Sequence, residues 1–136
     1  MPSGSPEATL FNPDPAAYLP HRYPFLLLDR IIELEQGSRA RAITGVTVTR
    51  GFPQILLIES VAQLAGIVVA QAEDEGGFIA SIDHALFSAP AAVGDILTVS
   101  ACVVKSFGRL FMIEGNVASG ADQLLSVQLT LGVGKI

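Results

Sequence analysis

A chain of 136 residues can form one domain with a real core; half of this one is hydrophobic and only 15% is charged. The net charge of −5, with no run of Lys or Arg, excludes a nucleic-acid binder, because phosphates demand clustered basic side chains. The single cysteine, Cys102, excludes an intramolecular disulfide, so nothing points to an oxidising compartment and a cytoplasmic location is expected.

Residues 1–13 read as a mobile tail: Met1 to Asn12 is rich in Ser, Pro and Gly, with neither the basic nor the apolar stretch of a signal peptide. Residues 14–136 read as one domain. Asp14 before Pro15 is an N-cap with proline at the first helical position, which predicts a short helix over Pro15 to Tyr18, ending near Pro20. His21 to Pro24 is a loop between prolines. Phe25 to Leu34 is a mostly apolar strand, Gln36-Gly37-Ser38 a turn, and Arg39 to Thr49 an alternating strand that completes a hairpin.

Gly51-Phe52-Pro53 breaks that strand, and a long apolar helix follows, with its stop predicted at Glu73 to Gly77. The stretch Ile55 to Ala72 is the one membrane candidate, but Glu59, Gln63 and Gln71 interrupt it, so no membrane span is expected. Four strands come next, Phe78 to Ile82, Ile96 to Ser106, Leu110 to Ala118 and Gln123 to Val133. Turn signals separate them at Pro90 to Asp95, Gly108-Arg109 and Ser119 to Asp122. Two strands, one helix and four strands, without βαβ alternation, predict an α+β class with an antiparallel sheet. A helix that is apolar nearly all round must be wrapped, and one curved sheet curling around it does so. The mean hydropathy of +0.51 leaves apolar surface to be covered, and a subunit interface is its ordinary home.

Glu59 is the focus for chemistry. It is one carboxylate in the otherwise apolar run from Pro53 to Gly66, and burying it is costly unless it has a partner or a task. Gln63, one helical turn on, shares its face. Gln63 is a candidate substrate-binding residue, and as a structural group it would serve as a hydrogen-bonder. Cys102, in a strand-like apolar stretch with no neighbouring histidine, reads as inert filler. His84, after Asp83 at a strand end, reads as a solvated surface histidine, and Asp29-Arg30 as structural. Arg50 precedes the helix where a ligand phosphate could pass, although an exposed turn arginine is the commoner case. Two histidines and one cysteine far apart make no zinc site, and no phosphate-cradling glycine loop is present, so neither metal nor cofactor is expected.

Three segments carry a resemblance. Leu19-Pro20-His21-Arg22-Tyr23-Pro24-Phe25-Leu26-Leu27-Leu28-Asp29-Arg30 resembles the opening motif of the FabZ/FabA 3-hydroxyacyl-[acyl-carrier-protein] dehydratases. Ile55 to Gly66 is similar to their central helix. Phe78 to Phe87, followed by Pro90 and Gly94-Asp95, is similar to their next strand and turn. The likeness runs from about Leu19 to the C-terminus. It implies a hotdog fold, with an antiparallel sheet wrapped around one long central helix. It also implies an acyl thioester on acyl-carrier protein or coenzyme A as the partner, and a homodimer or trimer of dimers.

The family's mechanism uses a histidine before the central helix as acid/base and a carboxylate on the partner subunit's helix, while amides at the helix start polarise the thioester carbonyl. The resemblance places Glu59 at the carboxylate and Gln54 at the glycine whose amide faces the carbonyl. It places Leu19, Pro20 and His21 in the loop near the acyl tunnel, with His21 a remote candidate for acid/base work. This chain departs from the pattern F-F-x-G-H-F-P-x-x-P-x-M-P-G before the helix: Val46-Thr47-Val48-Thr49-Arg50 runs straight into Gly51-Phe52-Pro53-Gln54, without the histidine. The basic residues usual around Ile82 to Pro90 are also replaced, which weakens steering of an acidic carrier. Three functions are consistent with this reading: a 3-hydroxyacyl dehydratase of fatty-acid or polyketide-type metabolism that is weak or inactive without the histidine, a non-catalytic acyl-thioester-binding or paralogue-pairing subunit, and a hotdog thioesterase that uses Glu59.

Overall fold

The computed structural model describes residues 11–19, 26–47, 52–70 and 75–135. Its strands are β1 (Arg30–Glu35), β2 (Arg39–Gly45), β3 (Glu75–Phe87), β4 (Ile96–Phe107), β5 (Leu110–Ser119) and β6 (Asp122–Lys135), and its helix is α1 (Gln54–Val69). The strands form one antiparallel sheet in the order β1-β2-β4-β5-β6-β3, and α1 packs across one face of it. This is the α+β hotdog arrangement that the element order predicts.

Alternation of side chains sorts each strand into an inner and an outer row. Ala42, Val99, Val117 and Leu125 lie side by side across four strands on the inner face, all buried. The neighbouring inner row is Ala40, Ala101, Gly115 and Val127. Its small residues let the helix approach: a methyl on Gly115 would run into Val61 Cγ1 and would stand 3.0 Å from the Ser100 carbonyl oxygen. Leu57, Val61, Leu64, Ala65 and Ile67 fill the helix side of this core and are fully buried.

Several boundaries differ from the sequence expectation, among them the end of β3, which runs on to Phe87 rather than stopping at Ile82. The first strand begins at Arg30, not Phe25, because Leu27 and Leu28 are buried but turn their backbone elsewhere: the Leu27 amide donates to the Gln63 side chain at 2.9 Å. The second strand ends at Gly45, where the Asp29 carboxylate accepts the Gly45 amide at 2.7 Å and Val46 pairs with the Gly94–Asp95 turn. The helix stops at Val69, and the Gly76-Gly77 pair read as its stop signal lies inside β3, which runs from Glu75 rather than Phe78. The early stop is set from outside the helix. Gln36, in the turn between β1 and β2, donates through Nε2 to the carbonyls of Ile67, Val68 and Ala70 at 2.8, 2.7 and 3.3 Å, and the Gly37 amide donates to Val68 O at 2.8 Å.

The N-terminal helix is a single 3-10 turn over Pro15–Ala17, with Asp14 accepting the Ala16 amide as its cap. Of the expected tail, residues 1–10 lie outside the described residues. The amide of Asn12 meets the Tyr18 hydroxyl at 3.1 Å, and Pro13 O accepts from the Ile31 amide at 2.8 Å. Among the described residues, no helix is long and apolar enough to cross a membrane.

Candidate functional site

One face of α1 (Glu59, Ala62, Gln63 and Gly66) borders a narrow groove of about 80 Å³. Tyr18 and Leu19 from the 3-10 turn form one bank, and the start of β3, from Glu75 to Ile79, forms the other. The spacing of the helix residues is the i, i+3, i+4, i+7 series of a single face, so helical geometry alone brings them into line. Two glycines narrow the floor. A methyl built on Gly77 would press on the Leu131 side chain, 2.9 Å from its Cδ2, and would stand in ordinary contact, 3.5 Å, with the Gly66 Cα.

Gln63 is 3% exposed, and its amide is oriented at both ends. Its Oε1 accepts from the buried Leu27 amide at 2.9 Å, so Nε2 must point the other way, where it donates to Glu59 Oε2 at 3.2 Å. Glu59 is half-buried, with its carboxylate directed by that donor along the groove wall. Such a carboxylate can accept a proton or orient a polar substrate atom, and Leu19, Ala62, Phe78 and Ile79 line the same groove.

The sequence candidates fall into three groups. Glu59, Gln63 and Leu19 meet in the groove. Gln54 stands exposed at the first turn of α1, away from the groove lining. That helix end has Pro53 at its N-cap position and no side-chain cap, which leaves first-turn amides open to an anion or a carbonyl oxygen. Pro20, His21 and Arg50 lie outside the described residues.

His84 is exposed on the outer sheet face, opposite Gln128. It borders an open polar saddle of about 520 Å³ with Arg39, Arg41 and Cys102, one sheet thickness away from Glu59. Among the described residues, no group of three or more His, Cys, Asp or Glu is placed to hold a metal ion.

Glu75 is the residue that sequence reasoning missed. It lines the groove, its side chain is 15% exposed, and Arg109 Nη2 lies 2.6 Å from its Oε2. Arg109 is fixed in turn by its Nε, which donates to Val133 O at 2.9 Å. The one available signal was the pairing of Gly66 with Gly76-Gly77, two small-residue positions that permit a strand to return against the helix.

No family model matches the chain. It is similar to a 3-hydroxyacyl-[acyl-carrier-protein] dehydratase FabZ of Geobacillus thermodenitrificans, at 31% identity over 87% of this chain and 91% of that relative. A FabZ of Coxiella burnetii is 40% identical over 79% of this chain and 87% of its own length. Among solved structures, the dehydratase heterocomplex ApeI:P of Xenorhabdus doucetiae superposes with a TM-score of 0.77 at 19% identity, covering 92% of this chain and 93% of that one.

Proposed function

Since the chain belongs to the 3-hydroxyacyl-[acyl-carrier-protein] dehydratase FabZ family, we propose that it binds acyl thioesters in the groove beside Glu59 and dehydrates 3-hydroxyacyl groups only weakly by itself. Its carrier is acyl-carrier protein or coenzyme A, and its working form is a homodimer or trimer of dimers, or a pair with a histidine-bearing paralogue.

The observation that carries this reading is the relay from Leu27 through Gln63 to Glu59, which supplies an oriented carboxylate at an apolar groove. Dehydration removes a proton from the α-carbon and expels the β-hydroxyl as water, so it needs a base and an acid. Glu59 alone would take the α-proton and return the same proton to the departing oxygen. One carboxyl then fills two roles that run best at different pKa values. Between Thr47 and Gln54 no histidine stands ready to share them. A partner subunit that carries such a histidine would restore the division of labour with Glu59 on this chain.

The test is to offer crotonyl-CoA and 3-hydroxybutyryl-CoA to the purified protein, following hydration, dehydration and thioester hydrolysis together with binding by calorimetry. Saturable binding with turnover far below about 1 s⁻¹ is expected. Dehydration at ordinary enzyme rates of about 1–10³ s⁻¹ would overturn the weak-dehydratase reading. Hydrolysis outpacing hydration would reassign Glu59 to activating water for thioester cleavage.

A further inference from the structure

The floor of the groove is nearly bare. Ala62 and Gly66 on α1, with Gly76 and Gly77 on β3, give it no side chain larger than a methyl. The space is nonetheless small, about 80 Å³, so another side chain fills what these residues leave open. That side chain is Leu19. It lines the groove, is 7% exposed, and has its Cδ2 3.8 Å from where a methyl on Gly66 would stand. Other large neighbours are turned away or committed. Gly132 faces outward between buried Leu131 and Val133, and a methyl there would run into the Phe78 ring, while Gln63 is bonded to Leu27 and Glu59.

Leu19 is held in place by the backbone around it. Its amide donates to Pro15 O at 3.1 Å. The Tyr18 hydroxyl accepts from the Asn12 amide at 3.1 Å and donates to the Asn12 carbonyl at 3.0 Å, and the Ile31 amide ties Pro13 O to β1 at 2.8 Å. The segment that carries Leu19 is thus bonded both to itself and to the sheet.

Two measures of the remaining space agree. The groove follows one helix face from Glu59 past Ala62 to Gly66, and by helical rise Gly66 is about 10 Å beyond Glu59. Contact between carbon atoms takes up about 4 Å of that. The roughly 6 Å left holds four or five steps of an extended alkyl chain at ~1.3 Å each. Counted from an α-carbon beside Glu59, the chain meets Leu19 at about its sixth carbon. By volume, about 80 Å³ at ~10–15 Å³ per water-sized group is room for about five to eight heavy atoms. A six-carbon acyl group has about seven, its carbonyl oxygen included.

We propose that Leu19, seated on the bare helix backbone at Gly66, sets the acyl-length limit of the groove and restricts it to acyl groups of about six carbons or fewer. This rests on the acyl-thioester reading above. Leu19 acts on specificity and takes no part in proton transfer.

The experiment is calorimetric titration of the full chain with inert S-alkyl-coenzyme A thioethers of two to ten carbons, for the native protein and for Leu19→Ala and Leu19→Val, with thermal melts to confirm folding. In the native protein affinity should rise about fourfold per methylene, then level off near six carbons. Leu19→Ala removes three carbons from the groove, so its plateau should move outward by about three carbons, and it should bind the ten-carbon ligand at least tenfold tighter than the native protein does. Leu19→Val removes one carbon at less cost to the fold, and its plateau should move by about one.

Native affinity that keeps climbing through ten carbons would overturn the role of Leu19 while leaving acyl binding intact, and this arm stands even if neither variant folds. Folded variants with the native length profile would overturn it likewise. No binding at any length would sink the acyl-thioester reading and the proposal together.

Discussion

Gln63 Nε2 lies 3.2 Å from Glu59 Oε2, one helical turn away, because the other end of the same amide is committed to the Leu27 backbone. The carboxylate is thus aimed by a hydrogen bond whose direction is set in the core. The catalytic candidate and the folding of the segment before β1 share one side chain.

Glu59→Gln should lower whatever hydration, dehydration or hydrolysis the protein performs by about 10²–10⁴-fold, since Gln matches the shape but cannot accept the proton. Thioester assays at saturating substrate, with a circular-dichroism melt as the folding control, check it. A folded variant with an unchanged rate would clear Glu59 of chemistry.

Gln63→Leu removes the acceptor of the buried Leu27 amide and the donor to Glu59 together. The expected cost is about 1–3 kcal/mol of stability, the penalty of an unsatisfied buried donor, read as a lower urea midpoint at constant slope. Activity should fall with it beyond what stability explains, because Glu59 loses its orienting partner.

Gly115→Ala should destabilise by about 1–3 kcal/mol, as overpacking does in a filled core. The new methyl meets Val61 on one side and the Ser100 carbonyl on the other, and neither can retreat without moving α1 or β4. Chemical denaturation measures it. A neutral result would mean that the helix can lift off the sheet at no cost.

β3 is a 13-residue edge strand with Phe78, Ile82 and Leu86 each about half exposed. Long apolar edges pair or aggregate. Sedimentation equilibrium at micromolar concentration should give at least a dimer, with β3 strands joining the sheets and the central helices side by side. Ile82→Lys should shift the distribution toward monomer. A native protein that sediments only as monomer would refute the arrangement.

Periodicity made the order of elements readable, and the i, i+4 spacing placed Glu59 beside Gln63 before any coordinates. What stayed hidden depends on contacts distant in sequence. Leu27 and Leu28 looked like strand residues because they are apolar, yet the Leu27 amide is satisfied by a side chain from α1, so the strand starts later. The Gly76-Gly77 pair looked like a helix stop because glycine commonly ends helices. Here both glycines lie inside β3, and a side chain at Gly77 would collide with Leu131 of the neighbouring β6. Glu75 reads locally as one acid in a solvated cluster, and only the return of β3 along α1 turns it into a groove wall with Arg109 behind it.

The Gln36 contacts at the end of α1 bear on how the chain folds. In proteins most helical stability comes from tertiary packing rather than propensity, and this 16-residue helix has no side-chain cap at its start. Its last carbonyls are closed by a residue 31 to 34 positions earlier in the chain. The final turn of α1 therefore gains its hydrogen bonds only once the hairpin of β1 and β2 has docked beside it. Helix completion becomes a late, non-local event, of the sort that slows folding, and pulling the hairpin away would fray α1 from its C-terminal end.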